Sequence, residues 1–188
     1  MLGISDIYTS FRFNIIHLKS YLLEQSQKDW LEMIKNKPKL GLYRQFKKTF
    51  ETQNYVNLNM SKYQRSLTAK LRMGILPLAL ETGRYTNIAL KERGCFYCNG
   101  EIEDELHFIC NCKLYRKYRE TLFESMAKVF TDFSEMSVKE KFLKIMETDL
   151  RCLHIYIEKA WSLRKSYVYV SSQPSLKDTD SSNITTVL

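Results

Sequence analysis

Three cysteines and one histidine lie within 18 residues of one another in the middle of the chain. They are Cys95, Cys98, His107 and Cys112, with the spacing C-x2-C-x8-H-x4-C. Thiolate and imidazole suit zinc, and two close pairs of such ligands complete a tetrahedron around one ion. The spacing therefore predicts one structural Zn²⁺ held by all four side chains. Because no coordination position is left for water, a catalytic zinc is not expected.

The identity of the fourth ligand depends on the backbone between His107 and Cys112. In a continuous α-helix His107 would face Cys110 or Asn111, whereas Cys112 would point away from it. The assignment to Cys112 therefore predicts a loop or strand before Asn111, which would cap the next helix. Cys110 remains the alternative ligand, although its apolar neighbours favour the role of a small buried residue.

Asn99 and Gly100 directly follow the second cysteine of the motif. Asn-Gly readily adopts left-handed backbone conformations, so the chain is expected to reverse there and direct both sulfurs at one ion. The acidic run that comes next predicts a solvated loop, and one of its carboxylates could hold the free ring nitrogen of His107. The run comprises Glu101, Glu103, Asp104 and Glu105.

The composition predicts a mostly α-helical domain around this zinc knuckle. The 188 residues include only 6 glycines and 3 prolines, so the turns of a many-stranded sheet are poorly signalled. Apolar residues make up 44% of the chain, which is enough for one core. We expect N-terminal helices over 1–60, basic helices flanking the knuckle over 61–130, C-terminal helices over 131–170 and a disordered tail over 171–188.

Capping signals and apolar periodicity locate the individual helices. Ser61 and Ser137 begin capping boxes, and Ser26 is expected to cap a short helix that ends at Pro38. Together with the apolar spacing, these signals predict helices over about 7–22, 26–37, 42–50, 61–73, 86–91, 111–129, 137–147 and 150–170.

The chain is basic, with a formal net charge of +8. A positive net charge of this size favours a polyanionic partner, with RNA or DNA preferred over an anionic membrane. The basic helix faces can equally be surfaces that contact only solvent. Phe96 and Tyr97 lie between the first two ligands, where their rings either stack on an unpaired base or pack over the metal site. The candidate nucleic-acid contacts are Lys62, Arg65, Arg72, Arg84, Phe96, Tyr97, Lys113, Arg116, Lys117 and Arg119.

Cysteines clustered beside a histidine indicate metal binding in a reducing compartment, and no apolar run reaches the roughly 20 residues that span a bilayer. We therefore expect an intracellular protein, nuclear or cytoplasmic, without a membrane partner. The remaining histidines, His17 and His154, lie in apolar helices and are expected to be structural. Because no catalytic set is visible in the sequence, an enzyme is not expected.

Five segments between residues 43 and 123 carry a family resemblance: YRQFKKTFETQNYV, LRMGILPLALETGRY, ERGCFYC, IEDELHFICNC and KLYRKYRETLF. Together they resemble the C-terminal region of reverse transcriptases of non-LTR (LINE-like) retrotransposons. That region follows the polymerase and carries a C-C-H-C zinc knuckle, which by position falls on the same four ligands. The resemblance implies contact with template RNA or target DNA during target-primed reverse transcription.

Two departures from this family stand in the sequence. Lys113 follows the last cysteine, where many members have proline. The Tyr-x-Asp-Asp polymerase signature and an endonuclease-like set of Asp, His and Asn are both missing from the sequence. The expected function is therefore nucleic-acid binding without polymerase or endonuclease activity, with weak sequence preference.

Two alternatives remain open. One is a zinc-stabilised structural or protein-interaction module, whose partner could be a polymerase domain. The other is a non-functional remnant of a retroelement. The ending Thr186-Val187-Leu188 has the form that is read by domains that capture C-terminal carboxylates, although three residues match by chance often.

Overall fold

The computed structural model describes the backbone of residues 4–148 and 150–171, and the side chains of residues 14–148 and 150–168. Over these ranges the fold is mostly α-helical and contains no β-strand, as predicted. The helices are α1 (Ile4–Asn36), α2 (Tyr43–Phe46), α3 (Lys62–Arg72), α4 (Ala79–Tyr85), α5 (Arg116–Ala127), α6 (Val138–Glu147) and α7 (Arg151–Ser171). Short 3₁₀ turns lie at Pro38–Leu40, Asn54–Asn57, Leu90–Glu92 and Lys113–Tyr115. The predicted tail beyond Ser171, including Thr186-Val187-Leu188, lies outside the described residues.

Both predicted capping boxes are confirmed. Ser61 Oγ accepts a hydrogen bond from the Gln64 amide at 3.1 Å, and Gln64 Oε1 accepts one from the Ser61 amide at 3.1 Å. Ser137 and Glu140 form the same reciprocal pair at 3.4 and 2.8 Å. These bonds satisfy amides that have no partner within the helix, which is why α3 and α6 begin where the sequence predicts.

The predicted break at Ser26 is wrong, because α1 continues through it. Ser26 Oγ donates to the Leu22 carbonyl at 2.8 Å, the back-bonding arrangement of a serine inside a helix. The two predicted helices therefore form one helix of 33 residues.

Two other predicted helices differ from the structure. The helix expected over 42–50 contains only the four residues of α2, since Lys47 is already extended at ψ 104°. The helix expected over 86–91 is wrong, and α4 lies before it. Asn87 adopts a left-handed conformation at φ 55°, which ends helical propagation after Tyr85.

The core forms where α7 packs on α3 and α5, and α2 packs on α6. Helices from residues 1–60, 61–130 and 131–170 thus contribute to a single core. Its fully buried apolar side chains include Leu71, Leu76, Leu78, Phe108, Ile109, Tyr115, Leu122, Met126, Ile145, Met146, Tyr156 and Ile157.

Helix α1 stands apart from this core. Its principal contact is the adjoining 3₁₀ turn, and Ile34 is buried near its end. Large apolar side chains along its described part remain exposed, among them Ile16 at 61%, Leu18 at 57% and Tyr21 at 59%.

Candidate metal site

A tight hairpin carries the first two cysteines. Gly94 and Ile102 form an antiparallel β-bridge, and the Cys95 amide donates to the Glu101 carbonyl at 2.7 Å. Between them Asn99 and Gly100 take left-handed φ values of 39° and 94°. The predicted chain reversal is therefore confirmed at the position where a side chain other than Asn or Gly would be strained.

A wide helical turn carries the other two ligands. Asp104 Oδ1 accepts a hydrogen bond from the His107 amide at 2.7 Å, which caps the turn. Residues His107–Asn111 are π-helical, and the Cys112 amide donates to the His107 carbonyl at 2.8 Å. Asn111 ends this turn and does not cap α5, so the predicted loop and cap are both wrong.

The π-turn explains how Cys112 reaches the site from a helical segment. In an α-helix a residue five positions on is rotated about 140° from the first, at about 100° per residue. A π-turn closes its hydrogen bond over five residues and brings the fifth residue back to the same side. The prediction that Cys112 needs a loop or strand before it is therefore wrong. Cys112 nevertheless joins the cluster, as the sequence predicted.

Cys95, Cys98, His107 and Cys112 place one ligand atom each within 4.8 Å of one another, so the group could hold a metal ion. Cys112 Sγ lies 3.8 Å from Cys95 Sγ and 3.7 Å from Cys98 Sγ. A tetrahedral ion with metal–sulfur bonds of about 2.3 Å separates its sulfurs by about 3.8 Å, so the spacing fits. Cys110 is not in the cluster and packs partly buried against the core, in agreement with its predicted apolar role.

Groups around the cluster orient the ligands. The Lys113 amide donates to Cys98 Sγ at 3.4 Å, and Arg119 Nη1 donates to the Cys112 carbonyl at 2.7 Å. Glu101 Oε2 lies 2.8 Å from His107 Nδ1, as the sequence predicted for one acidic residue. This contact leaves Nε2 of the ring as the atom for a metal.

Hydrogen bonds inside the cluster shift the pKa of its thiols. The bond from Cys112 lowers the pKa of Cys95 to about 3, because it stabilises the Cys95 thiolate more than burial disfavours it. The same bond raises the pKa of Cys112, since its proton is shared with that thiolate. Burial opposes charge on His107, but its contacts with Cys95 and Glu101 outweigh burial and raise its pKa. Without a metal, the shared hydrogen bond therefore favours the thiolate at Cys95 and the protonated thiol at Cys112.

The acidic run is not the solvated loop that the sequence predicted. Glu103 is only 1% exposed and accepts two hydrogen bonds from Arg164, from Nε at 2.8 Å and from Nη2 at 2.7 Å. Its Oε2 also accepts from the Ala79 amide at 2.7 Å, at the start of α4. Glu105 is buried too, and burial raises its pKa to about 7. Glu103 therefore joins α4, the metal loop and α7, a role the sequence did not reveal because Arg164 is 61 residues away.

The Asp104 cap was also missed, although a signal for it exists. Asp is a favoured N-cap residue, and Asp104 directly precedes an apolar segment with His107 at the third helical position. Reading Asp104 as a cap would have predicted helix, not loop, between the third and fourth ligands.

The predicted nucleic-acid contacts fall into three groups by exposure. Lys62, Arg84, Lys113, Arg116 and Lys117 are exposed, and Arg65 and Arg119 are half-buried. Arg72 is 2% exposed, and its guanidinium lies 4.7 Å from the Phe46 ring centroid and 5.4 Å from that of Tyr55. Arg72 is thus part of the core of the fold and is removed from the surface set.

Phe96 and Tyr97 contact α7 and keep part of their surface exposed, while their stacking on an unpaired base stays a prediction. They are 38% and 45% exposed, and their ring centroids lie 6.5 and 5.9 Å from that of Tyr167 on α7. The Arg164 guanidinium lies 5.6 Å from the Phe96 ring. The rings rest on α7 with part of their surface open to solvent.

The two remaining histidines differ. His154 is 1% exposed, with Nδ1 2.9 Å from Thr68 Oγ1, so its structural role is confirmed. His17 lies on the exposed surface of α1 and does not take part in the core.

Comparisons with known proteins return no relative of this chain. No family model, curated protein or solved structure matches it. Within residues 4–148 and 150–171, no helix combines the length and apolar content needed to cross a membrane.

Proposed function

We propose that this chain is a nucleic-acid-binding module organised by one structural zinc ion. The observation that carries the proposal is the Lys113 amide on Cys98 Sγ at 3.4 Å. It brings Lys113, in the 3₁₀ turn just before α5, against the hairpin that carries Phe96 and Tyr97. We take the cations Lys113, Arg116 and Lys117 together with the partly exposed rings of Phe96 and Tyr97 as one candidate surface, termed here the knuckle surface.

The donor set supports zinc as the metal. Three sulfurs and one imidazole form a soft set that suits a tetrahedral d¹⁰ ion, and the sulfur separations of 3.7 and 3.8 Å fit its bond lengths. Because all four positions are protein atoms, the ion would stabilise the loop without activating water.

The charges of the knuckle surface suit a phosphate backbone. Lys113 and Lys117 are exposed. Among the residues whose side chains are described, Arg116 forms an ion pair with Glu120 alone, at 2.9 Å, and both of these side chains are more than half exposed. Exposed ion pairs contribute little free energy, so a phosphate can displace Glu120. Contacts of this kind favour sequence-tolerant binding with strong salt dependence.

The resemblance to the C-terminal region of non-LTR reverse transcriptases supports the same function, since that region contacts RNA or DNA. The proposal covers nucleic-acid binding and no polymerase or endonuclease reaction, because the catalytic sets of both are missing from the sequence.

The test measures RNA binding by the zinc-loaded chain and by the chain treated with a chelator, each at a series of salt concentrations. Replacing Arg116 and Lys117 by alanine should lower the slope of log affinity against log salt by about 2, since about two phosphate contacts are lost. The charge-matched control is Lys91→Ala with Lys139→Ala, two exposed lysines that are not among the candidate contacts. An unchanged slope in the Arg116/Lys117 variant would remove the knuckle surface from the proposal.

The exposed apolar face of α1 favours a second candidate, a protein-interaction module. Leu18, Tyr21 and Leu22 on α1 are 54–59% exposed. A contiguous patch of exposed apolar side chains often marks a protein–protein interaction site. This reading predicts that the isolated chain self-associates, and that replacing Leu18 and Leu22 by serine makes it monomeric. A monomer at all concentrations in sedimentation experiments would argue against it.

A further inference from the structure

An open groove of about 600 Å³ lies between the end of α1 and the segment around α2, away from the metal site. Its volume falls within the range of about 300–1,000 Å³ typical of ligand sites. The lining residues that bear on its chemistry are Trp30, Glu32, Lys35, Arg44, Lys47 and Lys48. None of them belongs to the knuckle surface.

The groove carries an excess of positive charge. Four cations line it against one carboxylate, Glu32. Arg44 Nη1 donates to the Lys35 carbonyl at 2.6 Å, and Lys48 Nζ donates to the Arg44 carbonyl at 2.9 Å. A neutral carbonyl orients a cation but does not neutralise it. Among the described residues, Lys35, Arg44 and Lys48 form no ion pair with a carboxylate, so their charge remains available to an anion.

An aromatic ring adjoins these cations. Trp30 is half-buried in the groove, and its ring meets Phe50 edge to face with the centroids 5.6 Å apart. Phe50 thereby supports one edge of the ring contact. An aromatic surface beside phosphate-binding cations is the combination that single-stranded nucleic acid uses, since bases stack while phosphates pair with Lys and Arg.

We infer that this groove binds single-stranded nucleic acid, with a base against Trp30 and phosphates at Lys35, Arg44 and Lys48. The site extends the proposed function to a second surface that would bind the same strand or another one. An acidic peptide would satisfy the cations but supplies no regular ring for Trp30, so nucleic acid fits the lining better.

The test uses the tryptophan itself as the probe, on the full zinc-loaded chain with a short oligouridylate. The chain has 2 tryptophans, and Trp161 is buried at 8% exposure. Subtracting the spectrum of Trp30→Phe from that of the wild type isolates the signal of Trp30. We expect this signal to be quenched saturably, because a base that stacks on the indole quenches its fluorescence.

The cations are tested with Lys35→Ala and Lys48→Ala together. Both side chains are exposed, so folding should be unaffected. The double variant should weaken binding at the groove about ten-fold and lower its salt slope by about 1.4, since each phosphate contact of a single strand contributes about 0.7. The control pair Lys91→Ala and Lys139→Ala should show a much smaller change.

The outcomes separate this inference from the proposed function. The groove is supported if replacing Lys35 and Lys48 weakens the quenching of Trp30 while replacing Arg116 and Lys117 leaves it unchanged. RNA binding that leaves Trp30 unquenched overturns the groove and keeps the knuckle surface. Quenching reversed by polyglutamate at equal charge overturns it in favour of an acidic peptide. Failure to bind any nucleic acid overturns both.

Discussion

The metal loop and helix α1 are ordered in opposite ways. The loop, residues 94–115, contains only short helical turns, yet three of its ligands are buried, as are Glu103 and Glu105, and Glu103 is bonded to α4 and α7. Helix α1 is 33 residues long and regular, yet most of its described side chains are exposed. Regular structure and tertiary anchoring are therefore independent properties in this chain.

The difference has a physical origin. A helix forms through hydrogen bonds between residues four apart, so a long segment can be helical with few outside contacts. A metal loop has too few backbone bonds of its own and depends on side chains that reach across the fold. Substitutions in the loop should therefore cost far more free energy than substitutions in α1.

The largest effect is expected at the fourth ligand. Cys112→Ser should lower the free energy of unfolding of the zinc-loaded chain by at least about 4 kcal/mol, because binding energy at a structural zinc is folding energy. Cys110→Ser, outside the cluster, should cost about 1 kcal/mol. Urea denaturation with and without a chelator measures both. If both variants lost the same free energy of unfolding, Cys110 would again be a candidate ligand.

The buried ion pair should come next. Glu103→Gln leaves Arg164 without its carboxylate and should cost about 3 kcal/mol. The matched control is Glu101→Gln, at a side chain that is 52% exposed. This substitution should leave the stability of the metal-free chain nearly unchanged. It should lower metal affinity about ten-fold, since the Glu101 carboxylate orients His107. Denaturation and metal competition together distinguish the two roles, and a similar stability loss for both variants would refute the distinction.

A matched pair of leucines compares the core with α1 directly. Leu71→Ala should lower the free energy of unfolding by about 2–5 kcal/mol, because Leu71 is fully buried on α3. Leu22→Ala on α1 should change it by less than about 0.5 kcal/mol, since Leu22 is 54% exposed. Denaturation at a protein concentration too low for self-association measures the free energy of unfolding of the monomer. A large loss at Leu22 would show that α1 is packed in solution.

The smallest effect separates a cap from a serine inside a helix. Ser61→Ala should cost about 1 kcal/mol, because it removes the bond to the Gln64 amide. Ser26→Ala should be neutral or slightly stabilising, since alanine has the higher helix propensity and Ser26 caps nothing. Thermal unfolding of the two variants tests this order, and a costlier Ser26→Ala would restore the predicted break in α1.

Local signals in the sequence determined much of this protein. The capping boxes at Ser61 and Ser137 predicted the starts of α3 and α6, and Asn99-Gly100 predicted the reversal of the metal hairpin. The clustered spacing of Cys95, Cys98, His107 and Cys112 predicted a metal site. Each of these features depends on residues within 18 positions of one another.

Only the tertiary structure decided which polar residues are buried and how the fourth ligand reaches the site. Glu103 is buried because Arg164 lies opposite it, and Arg72 is buried between the rings of Phe46 and Tyr55. Cys112 joins the cluster through a π-turn that no local propensity signals. Spacing and propensity act over a few residues, whereas burial is set by partners that only the folded chain brings into contact.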